Sequence, residues 1–166
     1  MGGFVRHHQD TDRMITLRSF CAEDCAFLAT YYKRGMTSDE ALALIDEWNR
    51  KSYQGTYFEM FAIVSDDAPV GWISLYAHSN CTISAGLEII ENARRKGFGY
   101  TALVQALLFA KQLGYQTAVA QVRKNNTASL RLHAKCGFII TGECVTTRGN
   151  EAVCLQTTLE DIKQEG

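Results

Sequence analysis

A short basic turn with two glycines, Arg-Arg-Lys-Gly-Phe-Gly-Tyr at residues 94–100, lies between a strand pattern and a long helical pattern. The first turn of a helix has backbone N–H groups without intrahelical partners, and the helix dipole places partial positive charge there. Gly97 and Gly99 have no Cβ, so an anion can approach the backbone closely. Arg94, Arg95 and Lys96 add full positive charge, which suits a pyrophosphate. The alternative is a solvated basic turn, because short glycine patterns are common.

Two other phosphate-binding patterns were compared with this turn. The P-loop pattern is absent, whereas residues 97–102 satisfy the Gly-x-Gly-x-x-Gly/Ala form of a dinucleotide fingerprint. That fold requires a strand running into the first glycine and an acidic residue ~20 positions later. Here the strand pattern ends several residues earlier, and the next strand carries Ala120, Gln121 and Arg123. An NAD(P)-binding oxidoreductase is therefore a disfavoured alternative.

The composition predicts one globular domain. The 166 residues are 46% hydrophobic and 21% charged, with a net charge of −1, which argues against disorder and against a nucleic-acid-binding surface. No apolar run reaches the ~18 residues of a membrane helix. The six cysteines include no CxxC pair and no export signal accompanies them, which predicts free thiols in a cytoplasmic protein and no metal site. We expect a flexible leader over residues 1–13 and one domain over residues 14–166.

The elements that must position the turn follow from hydrophobic periodicity and from turn residues. The Thr-x-x-Glu pattern of Thr37 and Glu40 predicts a capped helix, and Gly114 ends a longer one. Hairpin-connected strands precede the glycine turn and helix-connected strands follow it, so the fold class is α/β with a mixed sheet of about seven strands and about four flanking helices. Strands are expected near residues 15–17, 57–64, 70–76, 82–90, 117–122, 138–145 and 152–159, and a short helix, capped by Asn126 or Thr127, over residues 127–135.

A second segment, Asn-x-x-Ser-x-x-Leu-His-x-x-x-Gly-Phe at residues 126–138, follows the glycine turn after one helix and one strand. With Arg94, Gly97 and Gly99 in the form Arg/Gln-x-x-Gly-x-Gly/Ala, it resembles the GNAT-type acyl-CoA N-acyltransferases. The resemblance covers about residues 15–160, and it implies a single-domain GNAT-like fold. It also implies an enzyme that transfers an acetyl group from its co-substrate acetyl-CoA directly to an amine. One departure is Glu91, where this family commonly has proline.

The resemblance also implies a set of binding residues. Leu87, Glu88 and Ile89 would lie on a bulged strand that splays from its neighbour, with Ile89 offering its N–H to the thioester carbonyl. The residues that would bind acetyl-CoA are Leu87, Glu88, Ile89, Arg94, Arg95, Lys96, Gly97, Phe98, Gly99, Tyr100, Asn126, Ser129 and His133. No metal is implied.

Two residues are candidates for proton transfer. Glu88 is a carboxylate beside the thioester and would act as the general base, but it can also be an ordinary solvent-facing strand residue. His133 stands where many relatives have a tyrosine that protonates the thiolate, and its imidazole titrates near neutral pH. The alternative for His133 is a half-buried side chain that packs with Leu130 and Ala134. Gln121 occupies a position where some relatives have a basic glutamate.

The acceptor is the least determined feature. Both a small amine and a protein N-terminus are compatible with the sequence, and an acyl-CoA-binding module without turnover is an alternative to an enzyme. A homodimer through an edge strand fits this fold, with no nucleic-acid or membrane partner. Several aromatic residues are candidates for lining an acceptor pocket: Tyr31, Tyr32, Trp48, Tyr53, Tyr57, Trp72 and Tyr76.

Overall fold

A computed structural model describes residues 14–163, and the leader predicted for residues 1–13 lies outside the described residues. The strands form a mixed sheet in the order β1-β3-β4-β5-β6-β8-β7, and a short β2 pairs with β3. All neighbours are antiparallel except β5 and β6, which the helix between them connects in parallel. The strands are β1 Ile15–Ser19, β2 Ser52–Tyr53, β3 Thr56–Ser65, β4 Ala68–Ala77, β5 Thr82–Ile89, β6 Thr117–Arg123, β7 Ile139–Val145 and β8 Glu151–Thr158. The mixed α/β architecture predicted from the sequence is confirmed.

Four α-helices flank the sheet within the described residues: α1 Cys25–Phe27, α2 Ser38–Asn49, α3 Phe98–Gln112 and α4 Thr127–Lys135. The Thr37 hydroxyl accepts a hydrogen bond from the Glu40 N–H (3.1 Å), so α2 begins at the predicted cap. The segment before α2 has apolar residues at helical spacing, Phe20, Phe27, Leu28 and Tyr31, but it is less regular than a single α-helix. A 3-10 turn over Ala22–Asp24 and a π-helical turn over Leu28–Tyr32 enclose α1.

The two faces of the sheet bury separate clusters, because side chains alternate along each strand. Phe61 and Ile63 of β3 face α3 and join the larger core, which includes Leu103 and Leu107 of that helix. Their neighbours Met60, Ala62 and Val64 face α1 and α2, where they pack with Phe20, Leu28, Ile45 and Trp48. The sheet therefore separates an α3–α4 side from an α1–α2 side.

The sheet splits between β5 and β6. Their pairing covers only Thr82–Ser84 against Thr117–Val119, whereas β5 continues to pair with β4 from Ile83 to Ile89 without a register shift. The predicted splaying is thus present, but the predicted bulge in β5 is not. Gly71 of β4 keeps β5 close at this end, since a Cβ on Gly71 would overlap the carbonyl oxygen of Glu88. The split is accommodated by β6 turning away.

Candidate functional site

A cleft of about 660 Å³ opens on the α3–α4 side of this split. Its walls are the end of β5, the glycine turn with the start of α3, and the start of α4. The residues that line it are Leu87, Glu88, Ile89, Ala93, Arg94, Arg95, Gly97, Phe98, Gly99, Tyr100, Asn126, Ala128, Ser129 and Leu132. Every residue predicted to bind acetyl-CoA lines this cleft except Lys96 and His133. Ala93, Ala128 and Leu132 were missed because small and apolar residues carry no chemical signal in a sequence.

The glycine turn presents backbone N–H groups to the cleft. Arg95 (φ 66°) and Gly97 (φ 80°) both adopt left-handed conformations, and Gly97 is the N-cap residue of α3 without a side-chain cap. The N–H of Thr101 bonds to the Gly97 carbonyl (3.2 Å), which leaves the N–H groups of Phe98 and Gly99 at the open helix end. Backbone donors at a helix start form an anion site.

Arg94 stabilises the end of β5 through two contacts. Its Nε donates to the Ile89 carbonyl oxygen (2.8 Å) and its guanidinium forms an ion pair with Glu88 (2.9 Å). The guanidinium therefore holds the strand beside the cleft as well as adding positive charge to it. Arg95 lines the cleft directly, whereas its neighbour Lys96 is exposed and outside it.

The backbone of β5 faces the gap at two residues. The Glu88 carbonyl points toward Gly71 on β4. Since hydrogen-bonding groups alternate along an antiparallel strand, Leu87 and Ile89 direct theirs to the side that β6 has left. Both residues line the cleft, so their N–H groups can bond to a ligand lying along the strand.

Helix α4 forms the opposite wall. The side-chain oxygen Oδ1 of Asn126 accepts a hydrogen bond from the Ser129 N–H (3.1 Å) and caps the helix, so Asn126 rather than Thr127 is the cap. This leaves the amide N–H₂ of Asn126 available to the cleft. The Ser129 hydroxyl lines the same wall.

His133 lies behind that wall, with 5% of its surface exposed. Its Nδ1 is 2.8 Å from the Ser129 carbonyl oxygen and 3.3 Å from the Ser129 hydroxyl, and its ring packs edge-on against Phe138. A carbonyl can only accept, so Nδ1 carries the proton and Nε2 is the basic nitrogen of the neutral ring. Burial lowers the pKa of His133 despite the hydrogen bond to Ser129. Ser129 is the link between this imidazole and the cleft.

Glu88 points its side chain to the other face of the sheet from Leu87 and Ile89, which pack in the α3 core. It lies opposite Trp72 of β4, and about half of its side chain is exposed. Arg94 holds Oε1, so Oε2 is the carboxylate oxygen left for other partners.

A second cleft of about 560 Å³ lies at the base of the split on the α1–α2 side. It is lined by Ser74, His78, Ser84, Ala85, Gly86, Val119, Ala120, Gln121, Thr141, Cys154 and Leu155. His78 bonds through Nε2 to the Ser84 hydroxyl (2.9 Å) and contacts the Tyr76 ring edge-on. His78 has no recognisable signal in the sequence, because an isolated histidine at a strand end has no distinctive spacing.

The predicted aromatic residues do not all lie in one place. Trp48, Tyr53 and Tyr76 border a third cleft on the α1–α2 side. Tyr57 lies on the opposite face, where its hydroxyl donates to buried Glu59 (2.6 Å) and its ring stacks on Tyr115. Tyr57 therefore does not belong to an acceptor pocket, since odd-numbered residues of β3 face α3.

Within residues 14–163, no helix is long and apolar enough to cross a membrane, and no cluster of His, Cys, Asp or Glu has an arrangement that could hold a metal ion. The six cysteines are free thiols.

Comparison of the sequence with family models matches residues 4–139 to the acetyltransferase (GNAT) domain. The chain is also 26% identical, over 92% of its length and 94% of the relative's, to the SPbeta prophage-derived uncharacterized N-acetyltransferase YokL of Bacillus subtilis (strain 168).

Two solved structures are similar in fold. The putative acetyltransferase yncA from Salmonella typhimurium, solved with acetyl-CoA, is 21% identical with a TM-score of 0.69, covering 89% of this chain and 95% of that one. Spermidine N-acetyltransferase from Vibrio cholerae, in complex with CoA and spermine, is 18% identical with a TM-score of 0.70, covering 89% and 97%.

Proposed function

Since the chain belongs to the GNAT acetyltransferase family, we propose that it transfers an acetyl group from acetyl-CoA to a small amine directly, within a ternary complex. The split between β5 and β6 carries this proposal. It joins a cleft with anion-binding backbone groups on one face of the sheet to a polar cleft on the other face. A thioester held in the gap is accessible to an acceptor from the opposite side.

The chain's own groups fit acetyl-CoA in three places. The open end of α3, with Arg95 beside it, suits the pyrophosphate. The N–H groups of Leu87 and Ile89 on one wall, and the Asn126 amide on the other, suit the amides of the pantetheine arm. We assign polarisation of the thioester carbonyl to the β5 backbone, where a fixed N–H stabilises the charge that develops on oxygen.

Proton transfer is assigned to the two predicted residues. Glu88 lies on the acceptor side, and Oε2 would take the proton of the attacking amine directly or through water. His133 would act through the Ser129 hydroxyl, which lines the cleft and lies 3.3 Å from Nδ1. Nε2 would take up a proton, Nδ1 would pass its own proton to the Ser129 hydroxyl, and that hydroxyl would pass its proton to the leaving thiolate, so that the ring is neutral again at the end. This relay differs from direct donation because His133 does not line the cleft.

The acceptor is proposed to be a small molecule rather than a protein N-terminus. The clefts on the acceptor side are small, with volumes of about 360 and 560 Å³. The structurally similar enzyme from Vibrio cholerae is a spermidine N-acetyltransferase. We place the reaction in the cytoplasm, where six free thiols remain reduced. A homodimer would use the edge strand β7, whose Ile139, Ile140 and Val145 are exposed.

Thermal unfolding with acetyl-CoA, NAD(P) or ATP tests the cofactor assignment first. A ligand of the native state raises its stability by ~2.7 kcal/mol at a hundredfold excess over Kd. We expect stabilisation by acetyl-CoA alone, followed by amine-dependent release of free thiol from acetyl-CoA. Stabilisation without thiol release across a broad amine panel would favour a binding module, and stabilisation only by NAD(P) would refute the proposal.

A further inference from the structure

The third cleft, of about 360 Å³, lies between α2 and the sheet and is lined by Glu47, Trp48, Ser52, Tyr53, Phe58 and Tyr76. Three of its rings are almost equally spaced. The ring centroids of Tyr53, Phe58 and Tyr76 lie 6.3, 6.4 and 6.5 Å apart, with mutual angles of 55°, 65° and 61°. These are the distances and angles of the walls of a three-sided box, and we refer to Tyr53, Phe58 and Tyr76 as the aromatic box.

The box has a negative rim. Glu47 is exposed at its edge, and α2 carries Asp39, Glu40, Asp46 and Glu47 but no lysine or arginine before its C-cap residue Arg50. In the part of the chain that the structure describes, no cationic side chain forms an ion pair with Glu47. The nearby Lys51 is paired with Glu59 (3.1 Å). The carboxylate is thus available to a ligand.

Ring faces carry negative electrostatic potential and attract ammonium groups, and desolvation strengthens the attraction. A carboxylate at the mouth of such a box adds charge complementarity that a purely apolar ligand would not use. The chemical group that fits this cleft is therefore a protonated amine with its methylene neighbours.

The box lies beside the transfer site on the same face of the sheet. Tyr76 pairs with Ser84, which lines the polar cleft at the split, and Glu88 follows four residues further along β5. At a strand rise of ~3.3 Å per residue, the box is roughly 10–13 Å from Leu87 and Glu88. Resting on the proposed function, we infer that the acceptor is an extended alkyl amine with a second cationic nitrogen, held by the aromatic box and Glu47 while the first nitrogen is acetylated.

Steady-state kinetics with α,ω-diamines of increasing length, each matched to the n-alkylamine of the same length, tests this inference. We expect kcat/KM to be about tenfold or more higher for the diamine than for the alkylamine, once the two nitrogens of the diamine span the distance between the aromatic box and the split. Glu47→Gln and Tyr53→Leu should each remove most of that preference by raising the KM for the diamine. Tyr115→Leu is the matched control, because its ring stacks on Tyr57 on the opposite face of the sheet.

Acetyl-CoA stabilisation of each variant, measured in parallel, reports on folding and on the proposed function separately. Equal kcat/KM for diamines and alkylamines in an enzyme that acetylates both would overturn the inference and leave the acetyltransferase proposal intact. Acetylation of a peptide N-terminus, but of neither amine series, would also overturn it. If acetyl-CoA does not stabilise the unmodified protein, the proposed function itself is refuted.

Discussion

Replacing Gly97 by alanine is expected to weaken acetyl-CoA binding about 5- to 30-fold. Gly97 has φ +80°, and a Cβ there meets no atom within 4 Å, so the cost is conformational rather than steric. A left-handed conformation costs a non-glycine residue about 1–2 kcal/mol. Without ligand the alanine relaxes, and binding must restore the geometry that aims the α3 N–H groups. At 1.4 kcal/mol per tenfold, that cost gives the stated range.

Isothermal titration of acetyl-CoA gives Kd, and urea unfolding gives the stability of each variant. Gly149→Ala is the matched control, because Gly149 has φ +84°, an equally open Cβ position, and a place in the β7–β8 hairpin outside the cleft. Gly99→Ala is a second comparison. Its Cβ would make ordinary contacts of 3.4–3.8 Å with Leu87, Leu132 and Ile89, so the stability of this variant should change little.

The stability loss of Gly149→Ala should equal or exceed that of Gly97→Ala, whereas only Gly97→Ala should lose affinity. A Kd for Gly97→Ala within twofold of that for Gly149→Ala would refute the assignment of the turn as the pyrophosphate site. It would mean that phosphate recognition does not depend on the left-handed cap.

Three further changes probe proton transfer and stability. Glu88→Gln should lower kcat by about 10²-fold with an unchanged Kd for acetyl-CoA. Glu91 is a nearby exposed glutamate, and Glu91→Gln should leave kcat unaltered. Equal rates for both variants would show that Glu88 is not the base. His133→Phe should lower kcat and change its pH profile, and identical turnover across the pH range would end its catalytic role. Asp24→Asn should cost about 1–3 kcal/mol in urea unfolding at pH 7, because Arg18 holds this carboxylate bidentately. Burial opposes ionisation of Asp24, yet the hydrogen bonds from Arg18 and the Cys21 N–H lower its pKa overall. The stability that Asp24 contributes is therefore present above its unfolded pKa and is lost as the pH falls through the lowered pKa of the folded state. A variant as stable as the parent at pH 7 would contradict this.

Most of the residues that the sequence singled out line the same cleft, because both of its chemical segments are local. The glycine turn and the start of α4 each place their backbone groups through short-range geometry, including the Asn126 cap. The direction of a side chain that depends on the tertiary structure cannot be read from the sequence. Lys96 leaves the cleft because of the left-handed conformations on either side of it, and His133 turns behind Ser129 into the core.

The acceptor side was harder to predict. Whether Tyr53 or Tyr57 faces α2 depends on the register of β3 in the finished sheet, which no local pattern fixes. The segment over Ala22–Tyr32 has helical periodicity, but periodicity does not distinguish an α-turn from the 3-10 and π turns found there. A strand as short as β2 carries no periodicity at all.

The split gives this sheet two inner edges in addition to its outer ones. Exposed strand edges normally invite another polypeptide to pair with them. Here the inner edges face each other across a gap that α3 and α4 cover on one side, which limits the access of a neighbouring protein's strand. A thin chain with its own amide groups can still enter the gap. The unpaired backbone groups of the inner edges are therefore suited to a ligand that forms hydrogen bonds as a polypeptide does but lacks its side chains.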